Sequence, residues 1–539
     1  MKPKSTYSIR FKHIAIFIAV CLFVVVKAAE KKPTAIYLIR SETLTFDKKQ
    51  NAECQVLRGD VVFRHDSAWM YCDSAYFYDQ NNTMDAFGDI SMKQGDSLFV
   101  YGDFLHYDGN TRIAHLKGNV RMENRETILE TDSFDYDRNQ NKGYYYTGGK
   151  VYDNENELTS IWGEYSPNTK RAVFRDNVRL VNKKFGLGSN YLKYNTQSKI
   201  ADIVGPSLII YEEKTTIYSE DGWYDTKKEK AQLLKNSYVE QNDGKKMIGD
   251  TIFYDKKIGE ATAYGHVQLL DTAQKVIVYG NYGYYRESDS YGIVRDSAYA
   301  IEYSNLKDTL FLHADTLLTF ADTLVVATDS VGQKDSTNTV MKAISNVRFY
   351  RSDMQGKCDT MVYTTRDSTL SMYESPVLWS DTMQLSGNFI QVFQYANDSN
   401  VVWVQGAALG LTQDDSIRFN QMAGKSLKAF IKGRKLYQII VEGNAESIYY
   451  PREEDGDLIG VNRAESSKMV VHLTNGKVRK IVMSPGSSGT LYPEDQMPED
   501  KKQLLSFIWY DNIRPKNKQD IFTRYALPEK SKKGRRRKK

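Results

Sequence analysis

The side chains able to do chemistry in this chain recur at a fixed rhythm and do not gather into one cluster. Aspartate returns in Gly102-Asp103-Phe104, Thr131-Asp132-Ser133 and Gly249-Asp250-Thr251, each time opening an aromatic segment that ends in Tyr-Asp. Paired carboxylates on an exposed β face would suit glycoside cleavage. A catalytic pair, however, occurs once, and these acids occupy equivalent places in successive repeats, which points to hydrogen bonding at strand ends. The seven histidines are scattered. No His-Glu-x-x-His, Gly-x-Ser-x-Gly or Walker pattern occurs, and Gly186-Leu187-Gly188 is only a fragment of a nucleotide loop. No metal-ligand spacing is present, so neither a cofactor nor a metal is expected.

The elements that carry these residues are strands. A glycine, a polar residue and an aliphatic one return about every 30 residues, as Gly59-Asp60-Val61, Gly88-Asp89-Ile90, Gly118-Asn119-Val120 and Gly265-His266-Val267. Looser copies include Gly149-Lys150-Val151, Asp176-Asn177-Val178, Gly205-Pro206-Ser207, Ser345-Asn346-Val347, Ser375-Pro376-Val377 and Gly443-Asn444-Ala445. Around each landmark, apolar residues share one parity, which is the signature of a strand with one oily and one wet face. On this reading the glycine sits on the oily face. The apolar-parity set is Met84, Ile90, Met92, Leu116, Val120, Met122, Phe174, Val178, Leu180, Val267, Leu269, Val347 and Phe349. The Tyr-Asp ends are followed by turn formers such as Asp108-Gly109-Asn110 and Asn195-Thr196-Gln197, where Asp or Asn bonds its own backbone. No stretch of the mature chain holds a helical apolar period, so the fold class is all-β, built of stacked antiparallel repeats.

Composition narrows the class of function. Removing five leader cations and eight in the tail Lys530 to Lys539 from the net charge of +5 leaves the body at −8, which argues against a nucleic-acid reader. Lys2, Lys4, Arg10 and Lys12 precede the apolar run Ile14 to Val26, too short for an ordinary membrane span, and Ala28-Ala29 offer a cleavage site. Residues 1–29 therefore read as a signal peptide, with an uncleaved anchor as the alternative; Val20 before Cys21 disfavours lipidation. Export permits a disulfide between Cys54 and Cys72, while free buried thiols, Cys358 included, are the default. The domain expectation is an array over 30–325, a polar linker over 326–340, a less regular array over 341–490, and an extended tail over 491–539. In that tail Phe507-Ile508-Trp509-Tyr510 is the patch suited to docking. Its basic end, Arg535-Arg536-Arg537-Lys538-Lys539, reads as a solvated terminus or as a contact for anionic lipid.

With Ile36-Tyr37-Leu38-Ile39-Arg40-Ser41-Glu42-Thr43-Leu44-Thr45-Phe46-Asp47 leading into Gly59-Asp60-Val61-Val62-Phe63, the chain resembles the OstA/LptA-like family of lipopolysaccharide-transport proteins. The resemblance covers most of 34–325 and, more loosely, 341–483. It implies an elongated, twisted β-jellyroll shaped like a folded tortilla, whose inner faces hold the acyl chains of lipid A. It also implies a periplasmic location, with outer-membrane association as a variant. Partners would be other transport proteins of the same system, or a second copy, joined by adding strands edge to edge. The chain is longer than the family's small bridge protein and lacks the residues of an outer-membrane barrel. At about 4.8 Å per strand, a dozen repeats would extend an apolar lining over roughly 60 Å. Two other classes stay open: a secreted β-solenoid enzyme acting on polysaccharide, and a structural or adhesive surface protein. For the latter, triplets such as Asp73-Ser74-Ala75, Asp296-Ser297-Ala298 and Asp381-Thr382-Met383 resemble an O-glycosylation sequon, though the repeat itself generates them.

Overall fold

In a computed structural model, the described residues are 34–46, 54–304, 308–322, 338–395, 398–453, 455–474 and 476–524. The segments expected as signal peptide, linker core and basic end all lie outside them. The chain is all-β and antiparallel, with only short 3-10 turns besides strands among the described residues. It divides into two compact units, Met1–Ala172 and Val173–Lys539. The linker expected at 326–340 lies mostly outside the described residues, and the strands flanking it, Thr316–Asp322 and Asn338–Arg351, pair with each other.

In the first unit the strands Gln55–His65, Ala68–Tyr78, Thr83–Gln94, Leu98–Asp108, Ile113–Asn124 and Thr127–Asp137 pair in chain order. Tyr37–Arg40 and Thr43–Phe46 add a broken edge strand beside Gln55–His65. The second unit continues the pattern through Phe185–Asn195, Ile200–Tyr211, Thr215–Asp225, Lys230–Gln241, Lys245–Asp255, Glu260–Asp271 and Val276–Arg286. Later strands include the long Ser399–Gln413, Phe419–Lys432, Lys435–Tyr449 and Val461–Thr474.

The glycine landmark does not lie on the oily face, contrary to the reading of the sequence. At Gly59, Gly88, Gly118 and Gly265 it is a bulge in the middle of the strand, whereas Gly149 opens the strand Gly149–Tyr152 with no positive φ and no register shift. In each bulge both residues of the dipeptide take positive φ: 74° and 42° at Gly88-Asp89, 74° and 44° at Gly118-Asn119, 71° and 43° at Gly265-His266. Register with both neighbours shifts there, for example between Phe87 and Ile90. Two consecutive left-handed residues explain why Gly, Asn, Asp and Ser fill the landmark, since these residue types tolerate that region best. On the intervening strands the inward face shifts in step: Met70 and Cys72 are buried, then Ala75 and Phe77. Each strand thereby turns a corner, and its two halves face one another.

The recurring aspartates belong to the same device. They stand mid-strand, not at strand ends as expected. Asp73, Asp103 and Asp250 lie against Gly88, Gly118 and Gly265, where a β-carbon would meet the carboxylate. Asn119 donates to Asp103 at 2.7 Å, and His266 contacts Asp250 at 2.8 Å. The two sequence landmarks are the two sides of one corner.

In the second unit, residues 493–524 run across the outer face of the later strands. Three buried glutamines bind this strap. Gln421 donates to Lys502 O at 3.0 Å and accepts from Leu504 N at 2.9 Å. Gln384 donates to Ile508 O at 2.8 Å and accepts from Tyr510 N at 2.7 Å. Gln355 accepts from Arg514 at 2.9 and 2.6 Å. Val377, Trp379 and Ile513 form an apolar cluster beneath it with Tyr510, and Phe419 meets Phe507 and Trp509. The aromatic patch expected to dock does so on its own chain.

Candidate functional site

The inward faces of the bent strands form the candidate site. Met84, Ile90, Met92, Leu116, Val120 and Met122 of the first unit are buried. Phe174, Val178, Leu180, Val267, Val347 and Phe349 of the second are buried as well. Leu269 is half-buried and packs on the core that contains Val347 and Phe349. Methionine is frequent on this face, with Met70, Met247, Met361 and Met469 joining those predicted. Its flexible thioether fills irregular space and adapts to different neighbours. These side chains close on one another.

What holds the two halves of each strand together is polar, and sequence reasoning missed it. His65 ends one strand beside its upper turn; Tyr107 ends another beside a lower turn; the imidazole Nδ1 and the phenol oxygen are 2.6 Å apart. A straight strand of 11 residues separates its ends by roughly 33 Å, so the contact requires the corner described above. Arg138 donates to Tyr107 at 2.5 Å and to Gln94 at 3.1 Å. Arg112 pairs with Asp66 at 3.1 Å. The same seam recurs in the second unit. There Tyr211 donates to Glu229 at 2.9 Å and Lys184 to the other oxygen of Glu229 at 2.7 Å.

The tyrosines of the Tyr-Asp landmark line this seam from within. Tyr107, Tyr136, Tyr194, Tyr224 and Tyr254 are all buried, while the following acid or amide caps its turn as expected, with Asn110 N donating to Asp108 at 2.8 Å and Asn139 N to Asp137 at 2.8 Å. The signal for the seam was thus present as a recurring tyrosine, replaced by Phe77 in the first repeat, but its partners lie dozens of residues away.

Burial, then the nearby Arg138 guanidinium, lowers the pKa of His65, so the imidazole stays neutral as acceptor or donor in the seam. Burial raises the phenols of Tyr107, Tyr136 and Tyr254. For Glu229 burial pulls upward, yet hydrogen bonds from Lys184 and Tyr211 outweigh it and the carboxylate is held below its usual range. His65, Tyr107 and Glu229 bond their partners across the seam.

Cys54 and Cys72 do not pair. Both are free and buried, as is Cys358. Cys72 stands opposite Val61, seven residues along the strand from Cys54, roughly 20 Å away, whereas a disulfide needs α-carbons within about 7 Å. Burial pushes the Cys72 and Cys358 thiols up to about 12.

Among the described residues no helix is long and apolar enough to cross a membrane. Residues 33–190 match the family model described as OstA-like protein. No curated protein matches the chain.

Proposed function

Starting from a chain that carries an OstA-like segment at 33–190, we propose a non-enzymatic, periplasmic lipid-binding conduit. It shields the acyl chains of lipid A while lipopolysaccharide travels to the outer membrane. The observation that carries this reading is the inward face: repeat after repeat contributes carbon and sulfur side chains to it, and none of the thirteen predicted positions is exposed. The OstA-like family is one of transport and binding, which supports a non-enzymatic reading.

Magnitudes favour acyl chains as guests. Covering one twelve-carbon chain is worth roughly 9 kcal/mol relative to water at about 0.8 kcal/mol per methylene. Parting a local stretch of seam costs a few hydrogen bonds, each about 0.5–1.5 kcal/mol net and more where charged. A single chain therefore offsets the seam bonds parted in the repeat that admits it, provided the displaced side chains keep apolar cover against the guest. Open edges suit relay to a neighbour. Tyr37, Ile39, Leu44 and Phe46 of the first edge strand are exposed. Among the described residues Lys477–Ser484 and Ser488–Tyr492 pair only with Val461–Thr474. Such edges accept strands from another transport protein or a second copy.

The test is photo-crosslinking in cells. A benzophenone side chain at Ile90, Val120 or Val267 is expected to capture lipopolysaccharide, and one at the outward Lys117 or Tyr76 to capture none. Equal capture on both faces, or capture on neither, overturns the proposal.

A further inference from the structure

Six strands of the first unit bring together a row that sequence spacing hides. Tyr76 stands opposite Asp85, Asp85 opposite His106, His106 opposite His115, His115 opposite Asp135, and Asp135 opposite Tyr144. The row reads Tyr-Asp-His-His-Asp-Tyr across the sheet. It lies on the outward face, because its members alternate with the buried Leu105, Tyr107, Leu116, Phe134 and Tyr136. His106 Nδ1 is 2.6 Å from Asp85 Oδ1, and His115 Nδ1 is 2.7 Å from Asp135 Oδ1. The two rings stack at 6.1 Å between centroids and 25° between planes, and both side chains are about two-fifths exposed.

We propose that His106 and His115 form a binding site for a late first-row divalent cation, copper(II) or zinc(II). Each Nδ1–H donated to a carboxylate fixes the tautomer that leaves a lone pair on Nε2. Imidazole ligands of metal sites are commonly held in this way. Two such imidazoles side by side supply two nitrogens of the type these ions favour. Nitrogen–metal bonds of about 2.0–2.1 Å put the two Nε2 atoms within roughly 4.2 Å of each other, so the rings tilt together about their anchored Nδ1 atoms on binding. Their exposure allows that motion, whereas a buried pair would be fixed by packing. Among the described residues no group of three or more His, Cys, Asp and Glu side chains converges on an ion. The remaining coordination positions are therefore left to water or to an anionic oxygen, and the site is weaker than a four-ligand structural one.

His266 supplies an internal comparison. It also contacts a carboxylate through Nδ1, at 2.8 Å from Asp250, but it sits in a corner bulge. The experiment is calorimetric titration of tag-free, metal-stripped protein with copper(II) and with zinc(II). One site per chain is expected. H106A and H115A should each weaken it more than 10-fold, D85N and D135N about 10–100-fold, and H266A not at all. Copper(II) electron paramagnetic resonance should report two equatorial nitrogens, reduced to one or none in H106A. Absence of a site in the parent protein overturns the proposal. So does affinity unchanged in H106A and H115A, provided circular dichroism shows the variants folded.

Discussion

If the corner is one device shared by two landmarks, Gly118→Ala must cost more than the strain of its backbone alone. Gly118 has φ of 74°, and a β-carbon there would lie 2.6 Å from Asp103 Oδ2 and 3.1 Å from Asp103 Cβ. Left-handed backbone costs a residue with a side chain about 1–2 kcal/mol. Pushing Asp103 aside also loses its bond from Asn119, worth about 1 kcal/mol at this exposure. The total is about 2–3 kcal/mol. Gly95 separates the two contributions, because it has φ of 62° and open space around its would-be β-carbon. Gly95→Ala should therefore cost the backbone strain alone. Urea unfolding followed through the first unit would give both values, with a midpoint temperature shift of roughly 2–4 °C per kcal/mol as a second readout. In an Asp103→Ala background the cost of Gly118→Ala should fall by about 1 kcal/mol. Equal costs at Gly118 and Gly95, with no coupling to Asp103, would refute the shared corner.

Three further outcomes follow from the seam, the strap and the thiols. His65 and His313 have folded pKa values lowered chiefly by burial, below an unfolded value near 6.5. Their neutral forms thus stabilise the fold above that pH, and stability falls as the pH drops through it. Thermal melts between pH 7.5 and 5.5 should show this loss, and His65→Gln should flatten it in the first unit. Gln384→Ala leaves Ile508 O and Tyr510 N without this partner, at about 1 kcal/mol for each partly buried group. Limited proteolysis should then cut within 493–524 sooner than in the parent, while the strands stay protected; unchanged cleavage would show that Gln355, Gln421 and the aromatic contacts hold the strap without Gln384. Cys54, Cys72 and Cys358 should resist Ellman's reagent in the native chain and react fully on unfolding, with no Cys54–Cys72 bond formed under oxidising conditions.

The strand content, the antiparallel order and the inward set were legible because alternation is a local property. Met84, Ile90, Leu116, Val120 and Phe174 needed only their neighbours in sequence to declare a face. Turn capping by Asp108, Asp137 and Asn195 was legible for the same reason. The meaning of the glycine was not. A one-residue bulge keeps Met84, Ala86, Ile90 and Met92 on one arithmetic parity while bending the strand between them, so a corner and a straight strand read alike.

Residue order by itself decided that this chain makes repeated two-faced strands, where they turn, and which atoms each strand hides. Only the tertiary structure decided that the strands fold back on themselves, that His65 closes on Tyr107 and Lys184 on Glu229, and that two histidines become neighbours. It also kept Cys54 and Cys72 apart and laid residues 493–524 over Gln355, Gln384 and Gln421. The physical reason is range. Side-chain alternation acts over a few residues, whereas a seam, a strap or a cross-strand pair depends on register summed over many bonds and on one bend in each strand.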